Sequence, residues 1–221
     1  MRRGHIRVHS IFFLKESFFF AAKLGYQRDG AFTPLFKLAE QLSVPVMVCV
    51  DGFVLTHAVE PIDVPSAEQV DAFLPPYVPR QILDPAAPVT MGAMVGPDAF
   101  TEVRALAHQQ LLRAVPTYAA LRTEYAALGR EVPAAVATHC VDGADIVLLT
   151  TGSVTGTASD LADALAGALP FGVVSLTMYR PFPVEELRRA LRGARHVVVL
   201  DRALSPGAGG PVATDVQAAL A

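Results

Sequence analysis

The stretch Thr151-Gly152-Ser153-Val154-Thr155-Gly156-Thr157 has the residue types that can hold a phosphate. It follows an apolar run and opens an amphipathic one, so free backbone N–H groups and the positive end of a helix dipole would meet there. It departs from the nucleotide fingerprints in three ways. Gly152 and Gly156 lack the third glycine of a dinucleotide loop, no Gly-Lys-Ser/Thr follows, and no acid closes the next apolar run, Val173 to Thr177. A strand-to-helix turn without a ligand is the preferred reading, and a phosphate- or nucleotide-binding module is the alternative.

Arg180 ends the run carrying Met178 and Tyr179 and precedes Pro181-Phe182-Pro183. Pro183 suits a first helical turn, and Glu185 and Glu186 complement its positive end. Neighbouring helical positions point in different directions, so these two acids read as a solvated helix start rather than an acid–base pair. Arg180 is placed to pair with a carboxylate on a partner chain. Asp201-Arg202 follows the next run, and beyond it Gly209 and Gly210 allow close approach of a neighbouring backbone or ligand.

His57 and His139 stand without a carboxylate or second ligand at helical spacing, so neither is assigned a metal. Cys49 and Cys140, the 2 cysteines, are too few for a four-thiolate zinc or iron–sulfur site. Cys49 lies in the apolar run Val44 to Val50 and reads as a buried, inert thiol. His-Glu-x-x-His, Gly-x-Ser-x-Gly and Cys-x-x-Cys are all absent. No catalytic, cofactor-binding or metal residue is therefore assigned to this chain.

The elements that position these residues form an α/β pattern. Phe32 to Leu42 shows helical spacing, with Leu35, Leu38, Ala39 and Leu42 on one face, and feeds the apolar run Val44 to Val50. That run is expected to be a parallel strand covered on both faces, ended by Asp51-Gly52. From Glu60 to Pro97, repeated prolines predict an extended crossing segment containing one short helix, capped by Ser66 and stopped by Pro75-Pro76. A long helical run follows from about Asp98 to Leu128, kinked or divided at Pro116, and then a linker from Glu131 to Gly143. The last unit reads as strand 146–150, helix 155–168, strand 172–177, helix 183–191, strand 196–200 and helix 212–220. This βαβαβ order predicts a parallel sheet and leaves it without a closing strand.

Composition narrows the function classes. In 221 residues, 52% are hydrophobic and 18% charged, which describes a well-buried globular chain. A net charge of −3 with interspersed signs gives no basic stripe for nucleic acid and no polybasic segment for a membrane surface. Arg2, Arg3 and Arg7 precede the apolar stretch Ile11 to Leu24, but Lys15 and Glu16 interrupt it. It reads as a buried amphipathic segment rather than an export signal or anchor, and a cytoplasmic location is expected.

Three segments taken together, LSVPVMVCVDGFVLTH (Leu42 to His57), DAFLPPYVP (Asp71 to Pro79) and LDPAAPVTMGAMVGP (Leu83 to Pro97), resemble the alpha chain of pyruvate and related 2-oxoacid:ferredoxin oxidoreductases. TTGSVTGTA (Thr150 to Ala158), VSLTMYRPFPVEEL (Val174 to Leu187) and VVVLDRALSPGAGGP (Val197 to Pro211) resemble the same family's transketolase-C-terminal-like domain.

The resemblance implies three parts: a remnant of the pyrimidine-binding domain at 1–57, a proline-rich linker and long helix at 58–143, and the transketolase-C-terminal-like α/β domain at 144–221. Residues Met1 to Gly30 fall outside it, which reads as a fragment, a truncated gene product or a mis-started frame. The family's whole enzyme uses thiamine diphosphate, magnesium, iron–sulfur clusters and coenzyme A, with a beta chain, other subunits and ferredoxin as partners. The acid that activates thiamine belongs to the portion upstream, and no Gly-Asp-Gly for the diphosphate's magnesium occurs here. The chain is expected to be inactive alone and to contribute architecture and subunit contacts, with Asp51, Gly52, Phe53, His57, Gly152, Gly156, Arg180, Asp201, Gly209 and Gly210 as candidate structural or interface residues. The C-terminal domain of a transketolase or of a 2-oxoacid dehydrogenase beta chain is the remaining alternative.

Overall fold

The alternation of apolar runs and amphipathic segments after residue 143 folds as a layered sheet. In the computed structural model, which describes residues 7–12, 22–23, 32–53, 57, 59, 64–90 and 94–221, the strands are β1 (Arg7–Phe12), β2 (Ala22–Lys23), β3 (Val48–Cys49), β4 (Val136–His139), β5 (Ile146–Thr150), β6 (Phe171–Leu176) and β7 (His196–Asp201). The helices are α1 (Phe32–Leu42), α2 (Ala67–Phe73), α3 (Phe100–Leu112), α4 (Ala114–Ala126), α5 (Val154–Ala164), α6 (Val184–Ala190) and α7 (Pro211–Leu220). The chain divides into two units, one of Met1–Arg28, Met47–Ile62 and Val132–Ala221, the other of Asp29–Val46 and Asp63–Glu131.

The first unit carries a five-stranded sheet of order β1-β7-β5-β6-β4, parallel except for β4. Alternation along the strands sends Val147, Leu149, Val174, Leu176, Val197 and Val199 to one face, where they pack with Leu187 and Leu191 of the α6 segment and Val212 and Val216 of α7. The other face packs Leu148, Phe171 and Val173 against Ala158 and Ala162 of α5. Each fully buried aliphatic side chain contributes roughly 1.5–3 kcal/mol, so this double-sided core dominates the unit's stability.

The strands and helices of this unit fall within a few residues of their expected places, with two additions. The presumed linker Glu131 to Gly143 contains β4, antiparallel to β6. The edge left without a closing strand is paired by β1, parallel to β7 from Arg7↔His196 to Phe12↔Asp201. The expected amphipathic segment Ile11 to Leu24 falls largely outside the described residues.

A larger correction concerns Val44 to Val50. It is not a strand buried along its length: among the described residues only Val48–Cys49 pairs, parallel to Ala22–Lys23, and Met47 and Val50 are exposed. The run straddles the two units, ending one at Val46 and resuming in the other at Met47, so no single sheet receives all of it. Cys49 is accordingly half-buried rather than buried.

In the second unit, Leu35, Leu38 and Leu42 of α1 are buried, as are Ala114, Tyr118, Leu121 and Tyr125 of α4. Ser43, at φ 50, closes α1 with Ser43 N–H donating to Glu40 O and Val44 N–H to Ala39 O. Phe73 sits edge-on to Tyr125 at 4.8 Å, under the Lys37 ammonium, which pairs with Glu124. Ser66 caps α2 in a reciprocal box with Gln69, as its position before the apolar face predicts. The long helical run is divided at Arg113, three residues before Pro116. A proline ring clashes with the carbonyl four residues earlier, here Leu112, which is where α3 stops. No residue of α3 is buried. Among the described residues, no helix is long and apolar enough to cross a membrane.

Candidate functional site

The parallel strands β5, β6 and β7 end at one edge of the sheet, and their following loops carry most of the residues that could do chemistry. Open α/β sheets usually bind ligands outside this carboxyl edge. After β5, Gly152 takes φ 74, the left-handed turn that sends the chain into α5. Thr150, Thr155 and Ser175 form a hydroxyl chain beneath it, with oxygen separations of 2.9 and 3.3 Å. Gly156 lies in the first turn of α5, its N–H donating to Ser153 O.

The helix start that could have held a phosphate is filled by the chain itself. Ser153 N–H donates to Asp51 Oδ2 at 2.6 Å, and Arg202 Nη1 donates to Asp51 Oδ1 at 3.0 Å. Asp51 is only 4% exposed. A fixed carboxylate there satisfies the N–H and the dipole and repels a second anion, which removes the observation favouring a phosphate-binding turn.

A second carboxylate does the same for α7. Asp201, also buried, accepts from Val212 N–H at 2.8 Å, Ala213 N–H at 3.4 Å and Ala203 N–H at 3.2 Å. It acts as an N-cap supplied from the preceding strand. Gly210 permits this: a Cβ there would lie 2.5 Å from Asp201 Oδ2. The close approach expected of this glycine loop is thus made to the chain's own aspartate. Gly209, at φ 93, turns the loop and accepts from Ser205 N–H.

Arg180 has a carboxylate within the chain. Its Nη2 donates to Asp215 Oδ2 of α7 at 2.8 Å, and the guanidinium stacks 4.1 Å over Tyr179. Partial burial, followed by the hydrogen bond to Asp215, raises the Tyr179 phenol pKa. Gly52 and Phe53 lie beyond Asp51, and Phe53 takes φ 66 with its ring 4.8 Å from that of His57, whose Nδ1 lies 3.1 Å from Phe53 O. Both side chains are exposed.

His139 is not a lone histidine. Its Nε2 lies 2.7 Å from Asp163 Oδ1, with Cys140 Sγ 3.7 Å from the same oxygen. Sequence reasoning missed Ser153, Arg202, Asp215 and Asp163 as partners, because each contact joins residues brought together only by the fold.

Two family models match the chain. Residues 32–121 match one described as pyruvate flavodoxin/ferredoxin oxidoreductase, thiamine diphosphate-binding. Residues 144–221 match one described as pyruvate:ferredoxin oxidoreductase core domain II. The chain is 39% identical over 177 residues to pyruvate synthase subunit PorA of Methanosarcina barkeri, covering 78% of this chain and 44% of that one. It is 37% identical over 179 residues to PorA of Methanothermobacter thermautotrophicus, covering 80% and 46%. It is 31% identical over 190 residues to ketoisovalerate oxidoreductase subunit VorA of Pyrococcus horikoshii, covering 84% and 48%. The chain spans about half the length of these relatives. Matched in both its segments, it belongs to the family of pyruvate and related 2-oxoacid:ferredoxin oxidoreductase alpha chains.

Proposed function

We propose that this chain supplies architecture and subunit contacts to a thiamine-diphosphate-dependent oxidoreductase that decarboxylates a 2-oxoacid, pyruvate first among candidates, and delivers electrons to ferredoxin. Its partners in this reading are a beta chain and further subunits carrying the iron–sulfur clusters, with magnesium holding the diphosphate and coenzyme A accepting the acyl group. The parts are assigned as 1–57, the remnant of a pyrimidine-binding domain; 58–143, the linker and long helix; and 144–221, the transketolase-C-terminal-like domain.

The observation that carries the structural role is exposed apolar surface. Along α3, Phe100, Val103, Leu106, Leu111 and Leu112 are all exposed. In the proline-rich segment Tyr77, Val78, Ile82 and Leu83 are exposed as well. Surface of this kind marks protein–protein contact. The described residues do not fit thiamine diphosphate on their own. Asp51 and Asp201 occupy the starts of α5 and α7, and no described glutamate is buried to activate a thiamine ring.

Co-expression with a candidate beta chain from the same genome, purification through a tag on this chain, and assay of pyruvate-dependent ferredoxin reduction test the reading. A coloured complex containing the beta chain is expected, with no pyruvate-dependent ferredoxin reduction by the chain alone. A colourless, partnerless chain, or turnover by the chain alone, overturns it.

A further inference from the structure

His139 is the last residue of β4 and Cys140 the next, so in regular extended backbone their side chains would face opposite sides. Cys140 instead takes φ 53. Both side chains then meet Asp163, near the C-terminal end of α5, at the sheet edge opposite the one where Asp51 and Asp201 lie. One ligating atom from each of the three residues lies within 4.8 Å of the others. Gly172 permits the approach: a Cβ there would lie 2.7 Å from the Cys140 carbonyl oxygen and 2.9 Å from Val141 Cα.

We propose that His139, Cys140 and Asp163 form a surface site for a zinc-class divalent cation, with imidazole Nε2, the thiolate and one carboxylate oxygen as ligands. This mixed nitrogen, sulfur and oxygen set suits zinc or cobalt and not magnesium or calcium, which take oxygen ligands. Tetrahedral zinc with bonds of about 2.0–2.3 Å holds its ligand atoms roughly 3.3–3.7 Å apart. The Sγ–Oδ1 separation of 3.7 Å already fits. The 2.7 Å Nε2–Oδ1 contact must open by about half an ångström, a small rotation for side chains that are 40% and 61% exposed. Binding sends the thiol proton to solvent, and the proton that Nε2 shares with the Asp163 carboxylate leaves that nitrogen, so that the neutral imidazole carries its one proton on Nδ1. The fourth position is left for water or a donor from another molecule.

The whole chain, stripped with a chelator and kept reduced, is titrated with Co²⁺ alone. One equivalent is expected to bind, with intense tetrahedral visible bands and a sulfur-to-cobalt charge-transfer band, both discharged by Zn²⁺. Cys140→Ser removes the charge-transfer band and Cys49→Ser keeps it. Asp163→Asn and His139→Gln each weaken binding at least ten-fold, with circular dichroism unchanged because these side chains are solvent-accessible. A missing charge-transfer band, one that survives Cys140→Ser, or full affinity in both other variants overturns the site.

Discussion

The Asp51 carboxylate and the Arg202 guanidinium share a 3.0 Å ion pair across most of the chain's length, the carboxylate 4% exposed and the guanidinium 37%. The same carboxylate accepts from Ser153 N–H, so one side chain fastens the Met47–Ile62 segment to two loops of the sheet's carboxyl edge.

Removing Asp51 leaves a helix-start N–H and a guanidinium without their acceptor. Asp51→Ala is expected to cost about 2 kcal/mol, below the roughly 3–5 kcal/mol of a fully buried pair because Arg202 is partly solvated. It also vacates an anion position. Phosphate should therefore raise the melting temperature of Asp51→Ala more than that of the parent, and an equal response in calorimetry would remove the plugged-site account.

Gly210 and Gly193 offer a matched contrast. A Cβ at Gly210 would collide with Asp201, whereas one at Gly193 meets nothing within 4 Å. Gly210→Ala should cost about 2 kcal/mol through the displaced cap and overpacking. Gly193→Ala should be near neutral. Thermal melts of the pair that coincide would contradict the cap.

Alkaline pH should loosen the second unit through Tyr118. Burial pushes its phenol up to about 12, against a smaller opposing effect of Arg122. Unfolded, the phenol ionises near 10, so between those values the folded state keeps a proton the unfolded state has lost. Its contribution, on the order of 2 kcal/mol, is complete below about pH 10 and is lost as pH rises toward 12. Tyr118→Phe should flatten that fall in urea melts run across the same range.

The exposed apolar residues of α3 give a prediction that depends on the partner. Phe100→Ser with Leu106→Ser removes two of its exposed side chains. The doubly substituted chain should be more soluble alone and recover several-fold less beta chain on co-purification. Unchanged recovery would take α3 out of the subunit contact.

Cobalt affinity should climb with pH. Slight desolvation of the exposed thiol, then the nearby Asp163 carboxylate, raises the Cys140 thiol pKa, and only the thiolate binds metal. Titrations at successive pH values should tighten well above neutrality, and a flat profile would exclude thiolate ligation.

The strands and helices after residue 143 were legible because period-two and helical patterns there are both strong and locally punctuated, as at Asp201 and Pro211. The Ser66 cap and the break before Pro116 were legible for the same reason, each being decided within a few residues. Val44 to Val50 misled because an all-apolar run reports burial potential, while actual burial depends on which neighbours the fold supplies. β4 was missed as a four-residue strand amid linker composition. The site was half legible: Asp51, Gly152, Asp201 and Gly210 were singled out, but not that the two acids fill the two helix starts. His139 was misjudged because Asp163 lies on another element, outside any local spacing rule.

The pairing of Arg7 with His196 also has a timetable. The whole stretch between them must leave the ribosome before β1 meets β7, and at roughly 5–20 residues per second that is on the order of ten to forty seconds of translation. During that interval β1 has no hydrogen-bonding mate in the sheet it will join, so chaperone occupancy on nascent chains should concentrate at β1 and fall away only after β7 emerges.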